Sequence, residues 1–373
     1  MNEADTKQVR KARLRGLYAN VPEVGPQTVH FDIANACNTR CTTCWHHSPF
    51  LDSAHRPGPA WKKERLSLDD FRRVFDDILA LGGLENIVLS GMGDPTMNDD
   101  LYAMVALAHR HRIGVTIITN LLRLDIERLF AAARWPEVPL DLLTSICGVT
   151  PDVWQAFHAH PTPRGFETML ERLDALKRRD FRPKHVQVIN RDNFHQLPAM
   201  VRFAADYPAK RVNFKYASLI HGTEAVALSP ADDQVLARQL IPEAAALAAA
   251  LGVDTDLPAF AMQVDPDSTA TAPIADVGCF MGFLYARVTV AGELLYCCNT
   301  RLDVGHVDDS GGFAAAWRGE RWQSRRDALR AGDYFEGCEQ CGKFKENLKW
   351  SQKIADKVAP SVFQSLIGRG ARS

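Results

Sequence analysis

Between residues 28 and 216, short apolar runs alternate with longer stretches whose apolar positions recur every three or four residues. T-V-H-F-D-I-A (28–34) is rich in β-branched and aromatic residues and predicts a strand. Ser67 followed by L-D-D-F-R-R-V-F-D-D-I-L-A-L predicts an amphipathic helix, because a serine hydroxyl at its start accepts from an otherwise unpaired amide. The same alternation predicts strands at 86–90, 115–119, 140–146, 185–189 and 212–216. Helices are expected over 99–110, from Asp125, from Pro151, over 165–179 and over 195–206. Six strands alternating with helices imply a parallel sheet with crossover helices, an α/β fold. Ligands in such folds gather at the carboxyl ends of the strands. Cys37, Gly91, Asn120 and Cys147 each follow one of the first four strands, so they are expected at one site.

The pattern changes near residue 230. Ser229-Pro230 opens an Ala-rich helical segment that runs to Leu251, and the Pro/Asp/Thr-rich stretch 254–277 predicts loop or linker. R-V-T-V-A-G-E-L-L-Y (287–296) predicts a hairpin turning at Ala291-Gly292, and Phe344 to Val358 an amphipathic helix. A chain of 373 residues suits one large domain with an appendage. We divide it into an extension (1–27), an α/β unit (28–225), a helical segment with linker (226–277) and a C-terminal domain (278–373).

With 44 Lys+Arg against 45 Asp+Glu, the chain lacks the basic excess of a nucleic-acid or acidic-membrane binder. Met1 to Arg15 is charged, without the apolar core of a signal peptide, and the longest apolar run, Ala244 to Val253, is half a membrane span. A cytoplasmic location is expected. Nine cysteines in such a chain are more readily ligands or catalysts than disulfides. Cys37, Cys41 and Cys44 form one group, Cys279, Cys297, Cys298, Cys338 and Cys341 another, and Cys147 stands alone.

In C-N-T-R-C-T-T-C (37–44) three cysteines fall within eight residues of loop sequence. A zinc site would need a fourth ligand, which His46 or His47 can offer, so zinc and iron–sulfur chemistry are both open on spacing alone. The spacing and its place after the first strand resemble the Cys-x3-Cys-x2-Cys signature of the radical S-adenosylmethionine (SAM) superfamily. That resemblance implies a partial (β/α)6 barrel and a [4Fe–4S] cluster held by Cys37, Cys41 and Cys44. Its fourth iron would be left for SAM, whose reductive cleavage releases a 5′-deoxyadenosyl radical. Relatives usually place an aromatic residue before the third cysteine, where this chain has Thr43; Trp45 and Trp61 are the nearby aromatics.

S-G-M-G-D-P (90–95) looks like the family's Gly-Gly-Glu-Pro segment, which binds the methionyl ammonium of SAM, with Asp94 in place of glutamate. Gly91, Gly93, Asp94 and Pro95 are therefore expected SAM contacts. Asn120 and Ser145, closing the third and fourth strands, resemble family positions near the SAM ribose and carboxylate, although both can equally be strand caps.

The second group resembles the SPASM/twitch region: a cysteine, a hairpin with Gly-x4-Cys, and a closing Cys-x2-Cys. The resemblance implies a small hairpin-plus-helix domain with one auxiliary [4Fe–4S] cluster on Cys279, Cys297, Cys338 and Cys341, while Cys298 is expected to be a buried neighbour. Four thiolates would suit that cluster to electron transfer. A four-thiolate structural zinc site fits the same pattern.

A radical enzyme with an electron-accepting second cluster suggests net oxidation of a small polar, sugar- or aminocyclitol-like substrate. Arg191, Lys215 and Tyr216 are candidate bases at strand ends. A thiol at Cys147 would instead make an epimerase by returning a hydrogen atom, although buried cysteines commonly just pack. The alternative is a SPASM-type maturase of a ribosomal precursor peptide. The roughly 27 residues before the first strand are too few for the leader-binding module many such enzymes carry, but a separate protein can supply it. A non-catalytic zinc or iron–sulfur protein is the reading of another class. A flavodoxin or ferredoxin is the expected electron donor. His46, His47, Trp61, His221 and Tyr285 are possible pocket residues, and 46–66 is placed to cover the site.

Overall fold

The computed structural model describes residues 3–264, 274–298, 302–338 and 341–368. The six expected strands form as β1 (Thr28–Asp32), β2 (Asn86–Ser90), β3 (Gly114–Thr119), β4 (Leu140–Ser145), β5 (Lys184–Ile189) and β6 (Arg211–Tyr216). They pair in sequence order and all in parallel, as right-handed crossovers through intervening helices require. The helix Leu68–Leu81 begins at Ser67, whose side chain accepts from the Asp70 amide, and buries Phe71, Val74, Phe75, Ile78 and Leu81. Asp125 caps Ile126–Ala132 in the same way.

The C-terminal hairpin continues this sheet. Strand β7 (Tyr285–Val288) pairs in parallel with β1, from Thr28 opposite Tyr285 to Phe31 opposite Val288. Antiparallel strands β8 (Glu293–Leu295) and β9 (Asp303–His306) complete the order β6-β5-β4-β3-β2-β1-β7-β8-β9. Gly292, at φ 88°, supplies the left-handed residue of the expected turn. On β1, Val29 and Phe31 are fully buried on one face, whereas His30 and Asp32 point to the other beside Arg287 of β7.

One expectation is corrected. The stretch 254–277 is not simply linker: Leu257–Val264 is a helix, and Leu257, Phe260 and Val264 are buried against β6. Phe260 meets Phe214 at 5.8 Å between ring centroids, and the Asp256 carboxylate accepts from the Phe214 amide at 2.7 Å. Pro258 is no obstacle, because the first helical turn needs no amide there. Residues 265–273 of that stretch lie outside the described residues. The N-terminal extension is likewise structured: Glu3–Ala19 is a helix with Leu17 fully buried, and Arg13 donates to the Gly83 carbonyl and to Glu85.

Candidate active site

Each thiol of the first group lies on the loop that follows β1. Two of them share one hydroxyl: Thr39 Oγ1 is 3.3 Å from Cys37 Sγ and 3.5 Å from Cys41 Sγ. The His46 amide donates to Cys44 Sγ at 3.5 Å. The sequence reading missed His158, on the helix Pro151–His158, whose Nδ1 is 3.2 Å from Cys41 Sγ. Its Nε2 lies 3.0 Å from the Ile146 carbonyl, which can only accept, so Nε2 carries the proton and Nδ1 faces the thiol as a lone pair. Burial lowers His158 to about 4, so the ring is neutral at pH 7. Cys37 borders a cavity of about 500 Å³ that reaches Arg123 and His160, opening the loop to solvent at that edge.

The loop after β2 is hydrogen-bonded onto this thiol loop. Gly93 N donates to Ala34 O at 3.0 Å and Asp94 N to Ala36 O at 2.9 Å. A Cβ on Gly91 would lie 2.1 Å from the Ala34 carbonyl oxygen, and one on Gly93 1.9 Å from that of Ala36. Both glycines are therefore required by close backbone approach. The buried Asp94 carboxylate accepts from Thr96 N and Oγ1, Thr119 Oγ1 and Asn120 N, at 2.6 to 3.1 Å. It binds the ends of β2 and β3 together, with Pro95 buried beside it. Asn120 carries this on to the thiol loop, donating from Nδ2 to Asn38 Oδ1 at 2.8 Å. Ser145 ends β4, half-buried.

The second group draws in all five of its cysteines. Burial raises Cys279, with Cys341, Cys338 and Cys298 near enough to add like-charge repulsion. Asn347 fixes the local backbone, accepting from the Phe280 amide at 2.8 Å and donating toward Cys341 Sγ at 3.8 Å. Cys298, expected to be a buried neighbour, has Gly342 packed on it: a Cβ there would sit 2.9 Å from its sulfur. A hydrogen bond with Cys297, against the opposing effect of burial, and the cations Lys343 and Arg287 lower Cys298 to about 6.

The half-buried thiols of both groups fit iron–sulfur clusters. Burial raises Cys37 to about 11, raises Cys41 and Cys44, and raises Cys341 to about 11. No disulfide joins any of the nine cysteines, all of which are described. Thiolates in such places need the compensating charge that iron ions supply.

Between the two groups lies a polar interior. The guanidinium of Arg287 grips the fully buried Asp32 at 2.8 and 3.1 Å and touches Met92 Sδ at 3.4 Å. Burial raises the Asp32 carboxyl, but His30 and Arg287 outweigh it and hold its pKa below the usual value. Lys343 Nζ stands 4.2 Å over the ring of the buried Tyr285. His46 is stacked on Trp61 at 5.3 Å, while Trp45 turns away to donate to the Ser218 carbonyl. His47 is buried and bonded to the Asn35 carbonyl.

The four candidate catalytic residues do not share one environment. Lys215 lies on the face of β6 opposite the buried Val212 and Phe214; enclosure, Lys343 and Lys345 lower its pKa, the direction a base requires. Tyr216 is a poor base: its hydroxyl donates to Asp233 at 2.8 Å, and burial and that carboxylate raise it. Arg191 is half-exposed and paired only loosely with Asp192, 3.8 Å away. Cys147 is fully buried, with Sγ 3.6 Å from Val186 O and 3.4 Å from the Val188 amide. Burial raises the thiol to about 12. The hydrogen-donor role would need access that the buried sulfur, packed against the backbone of β5, does not have in this conformation. Cys147→Ala should keep SAM cleavage and lose about 1–2 kcal/mol of stability through the small cavity left. Counting 5′-deoxyadenosine and measuring Tm check this; a variant that folds but turns over no substrate would restore the donor role.

The Radical SAM superfamily matches residues 32–204, and SPASM, an iron–sulfur cluster-binding domain, matches residues 279–342. The mycofactocin maturase MftC of Mycolicibacterium smegmatis is 25% identical over 187 residues, which are 49% of this chain and 43% of that protein. The match therefore spans less than half of that relative's length. Streptococcus suis SuiB superposes with a TM-score of 0.63 at 13% identity, over 86% of this chain and 72% of its own. SuiB bound to its precursor peptide SuiA gives 0.61 at 13% identity, over 87% and 72%. The structure of anSMEcpe with bound AdoMet gives 0.62 at 13% identity, over 91% and 98%. At these identities the structures establish the fold: a partial barrel with its C-terminal extension.

Proposed function

We infer, for a chain that belongs to the radical SAM superfamily and carries a SPASM-type iron–sulfur domain, that its substrate is a peptide and its product a modified precursor peptide. The observation that carries the reading is the polar interior between the two thiol groups, formed by Asp32, Arg287, Lys343 and Lys215. The match to a maturase supports the peptide alternative over the sugar-like substrate that the sequence first suggested. The fold shared with SuiB, a protein captured with a precursor peptide, points the same way.

Cys37, Cys41 and Cys44 would hold the cluster that binds SAM, and Cys279, Cys297, Cys338 and Cys341 the auxiliary one. When bound, the first cluster with SAM supplies a one-electron cleavage that yields a hydrogen-abstracting carbon radical. The protein's own part is positional. Gly91 and Gly93 let two loops close on the site, while Asp94 acts as a positioning residue, joining Thr119 and Asn120 to the thiol loop. His158, neutral and anchored on Ile146, orients Cys41. Lys215 is the group placed to take a proton from substrate, because its raised free-base fraction and its place on the inner face of β6 suit it to that role.

The test incubates reconstituted full-length protein with SAM, reductant and either the product of a short gene neighbouring its own or a set of aminocyclitols. A mass change on the peptide, matched by 5′-deoxyadenosine above the substrate-free background, is the expected result. Oxidation of the aminocyclitols with an unchanged peptide would overturn the peptide reading and restore the first one.

A further inference from the structure

Away from both thiol groups, two loops at the carboxyl end of the sheet bring together Asp52, His55 and His221. One nitrogen or oxygen from each lies within 4.8 Å of the others. Asp52 and His55 belong to the 46–66 segment, and His221 to the loop after β6. We propose that these three side chains bind a divalent cation of the zinc class, which staples the 46–66 segment across the mouth of the barrel.

The donor set is two imidazoles and one carboxylate, a combination that suits zinc and its first-row neighbours and leaves coordination positions for water. The site is built by the backbone before any ion arrives. Asp52 N donates to the His221 carbonyl at 3.0 Å, so the two loops are already joined at this point. His221 is held at φ 58°, a left-handed conformation uncommon outside glycine, and Gly222 follows at φ 100°. A Cβ on Gly222 would lie 2.3 Å from the Phe50 carbonyl oxygen, which shows how tightly this turn seats on the segment. That seating lays the His221 ring against His55, with centroids 3.5 Å apart and planes 14° from parallel, so one ring must swing out of the stack for both to ligate one ion.

Asp52 Oδ1 is hydrogen-bonded to His55 Nδ1 at 2.7 Å, a contact that a cation would replace by ligating both atoms. Arg56, the next residue, is turned onto the carbonyls of Leu51 and Pro49 at 2.7 and 3.3 Å. About half of each of the Asp52 and His55 side chains is exposed, which gives the ion a path in from solvent.

The consequence is mechanical. The segment is tied to the β1 end by the Ala34–Arg65 bridge and by Asn35 with Glu64. At the β6 end it is tied by Trp45 with Ser218 and by Asp52 with His221. A cation on the triad would strengthen the second attachment alone, fixing the free middle of the segment over the polar interior. This proposal does not depend on which substrate the radical site takes.

The experiment uses iron-loaded full-length protein, stripped of loosely held metal with a chelator and equilibrated with zinc chloride. Zinc and iron are then counted together. One zinc per chain at low micromolar free zinc, with iron unchanged, is expected. His55→Ala and His221→Asn should each weaken binding at least about tenfold, and the double variant abolish it. Asparagine is used at 221 because it tolerates the left-handed backbone. Zinc should also slow tryptic cleavage at Arg56, Lys62 and Lys63 in the parent and not in the double variant. Zinc bound equally by the double variant, zinc gained only as iron is lost, or no binding below about 100 µM would each overturn the site. Unchanged iron content and far-UV circular dichroism in the variants show that any loss is not unfolding.

Discussion

Replacing Cys37, Cys41 and Cys44 together by alanine will halve the iron of the reconstituted protein, from about eight to about four per chain, and abolish SAM cleavage. These thiols lie on a single loop, and Thr39 touches two of them, so we assign all three to one cluster. The second group draws its cysteines from elements after residue 278 and should keep its iron in the variant. The sulfurs contact Thr39, His158 and the His46 amide, while the loop backbone is held independently by Gly93 and Asp94, so the variant is expected to fold. Iron and sulfide counts with a 5′-deoxyadenosine assay decide the matter. Zinc in place of iron in the parent protein would leave a metal-stapled α/β protein and remove the radical mechanism. Iron that falls to zero in the triple variant would show instead that the two sites assemble together.

The second large effect comes from a methyl group. Gly93→Ala should abolish detectable SAM binding and lower stability by about 3 kcal/mol or more, because the new Cβ meets the Ala36 carbonyl oxygen at 1.9 Å. Neither side of that contact can yield cheaply. Gly93 N and Asp94 N are both hydrogen-bonded to this stretch, and Asp94 holds the ends of β2 and β3. Relief by moving the loop would pull Asn120 off Asn38 and displace Cys37. Gly58→Ala is the control, since nothing lies within 4 Å of its added carbon. Equilibrium dialysis with SAM and a thermal melt give the two readouts. Wild-type affinity in Gly93→Ala would mean that the 90–95 segment does not shape the SAM site.

Much of the barrel was legible because its signals are local. The period of apolar positions along 68–81, with Ser67 before it, specifies a helix and its first residue without reference to any distant partner. Alternating β-branched runs specify strands, and the ban on left-handed crossovers then orders them. The spacing of three cysteines in one loop is local too. By contrast, the stretch 254–277 carried Leu257, Phe260 and Val264 at helical spacing, but its prolines and aspartates spoke for loop. Burial against Phe214 outweighed that composition. The N-terminal helix was hidden for a related reason: its sequence is strongly charged, and among its described residues only Ala12, Arg13, Gly16 and Leu17 are buried.

The site divides along the same line. A sequence can show that Cys147 and Lys215 stand at strand ends, but not which face each side chain takes or how much of it solvent reaches. The sulfur of Cys147 vanished into the β5 backbone, while Lys215, on the face of β6 away from Val212 and Phe214, is crowded enough to lower its pKa yet still reached by solvent. Cys298 was read as a buried neighbour because adjacent cysteines rarely serve one cluster; the fold of 341–347 brings Gly342 and Lys343 against it. The Asp32–Arg287 pair joins residues 255 positions apart and exists only because β7 adds to β1 in one register. By itself the sequence determined the order of the strands, the helix that Ser67 caps and the two cysteine groups, since periodicity, capping and loop spacing act over a few residues. Tertiary structure alone decided burial, charge partners and the Asp52–His55–His221 triad, since these depend on which distant segments the sheet register brings together.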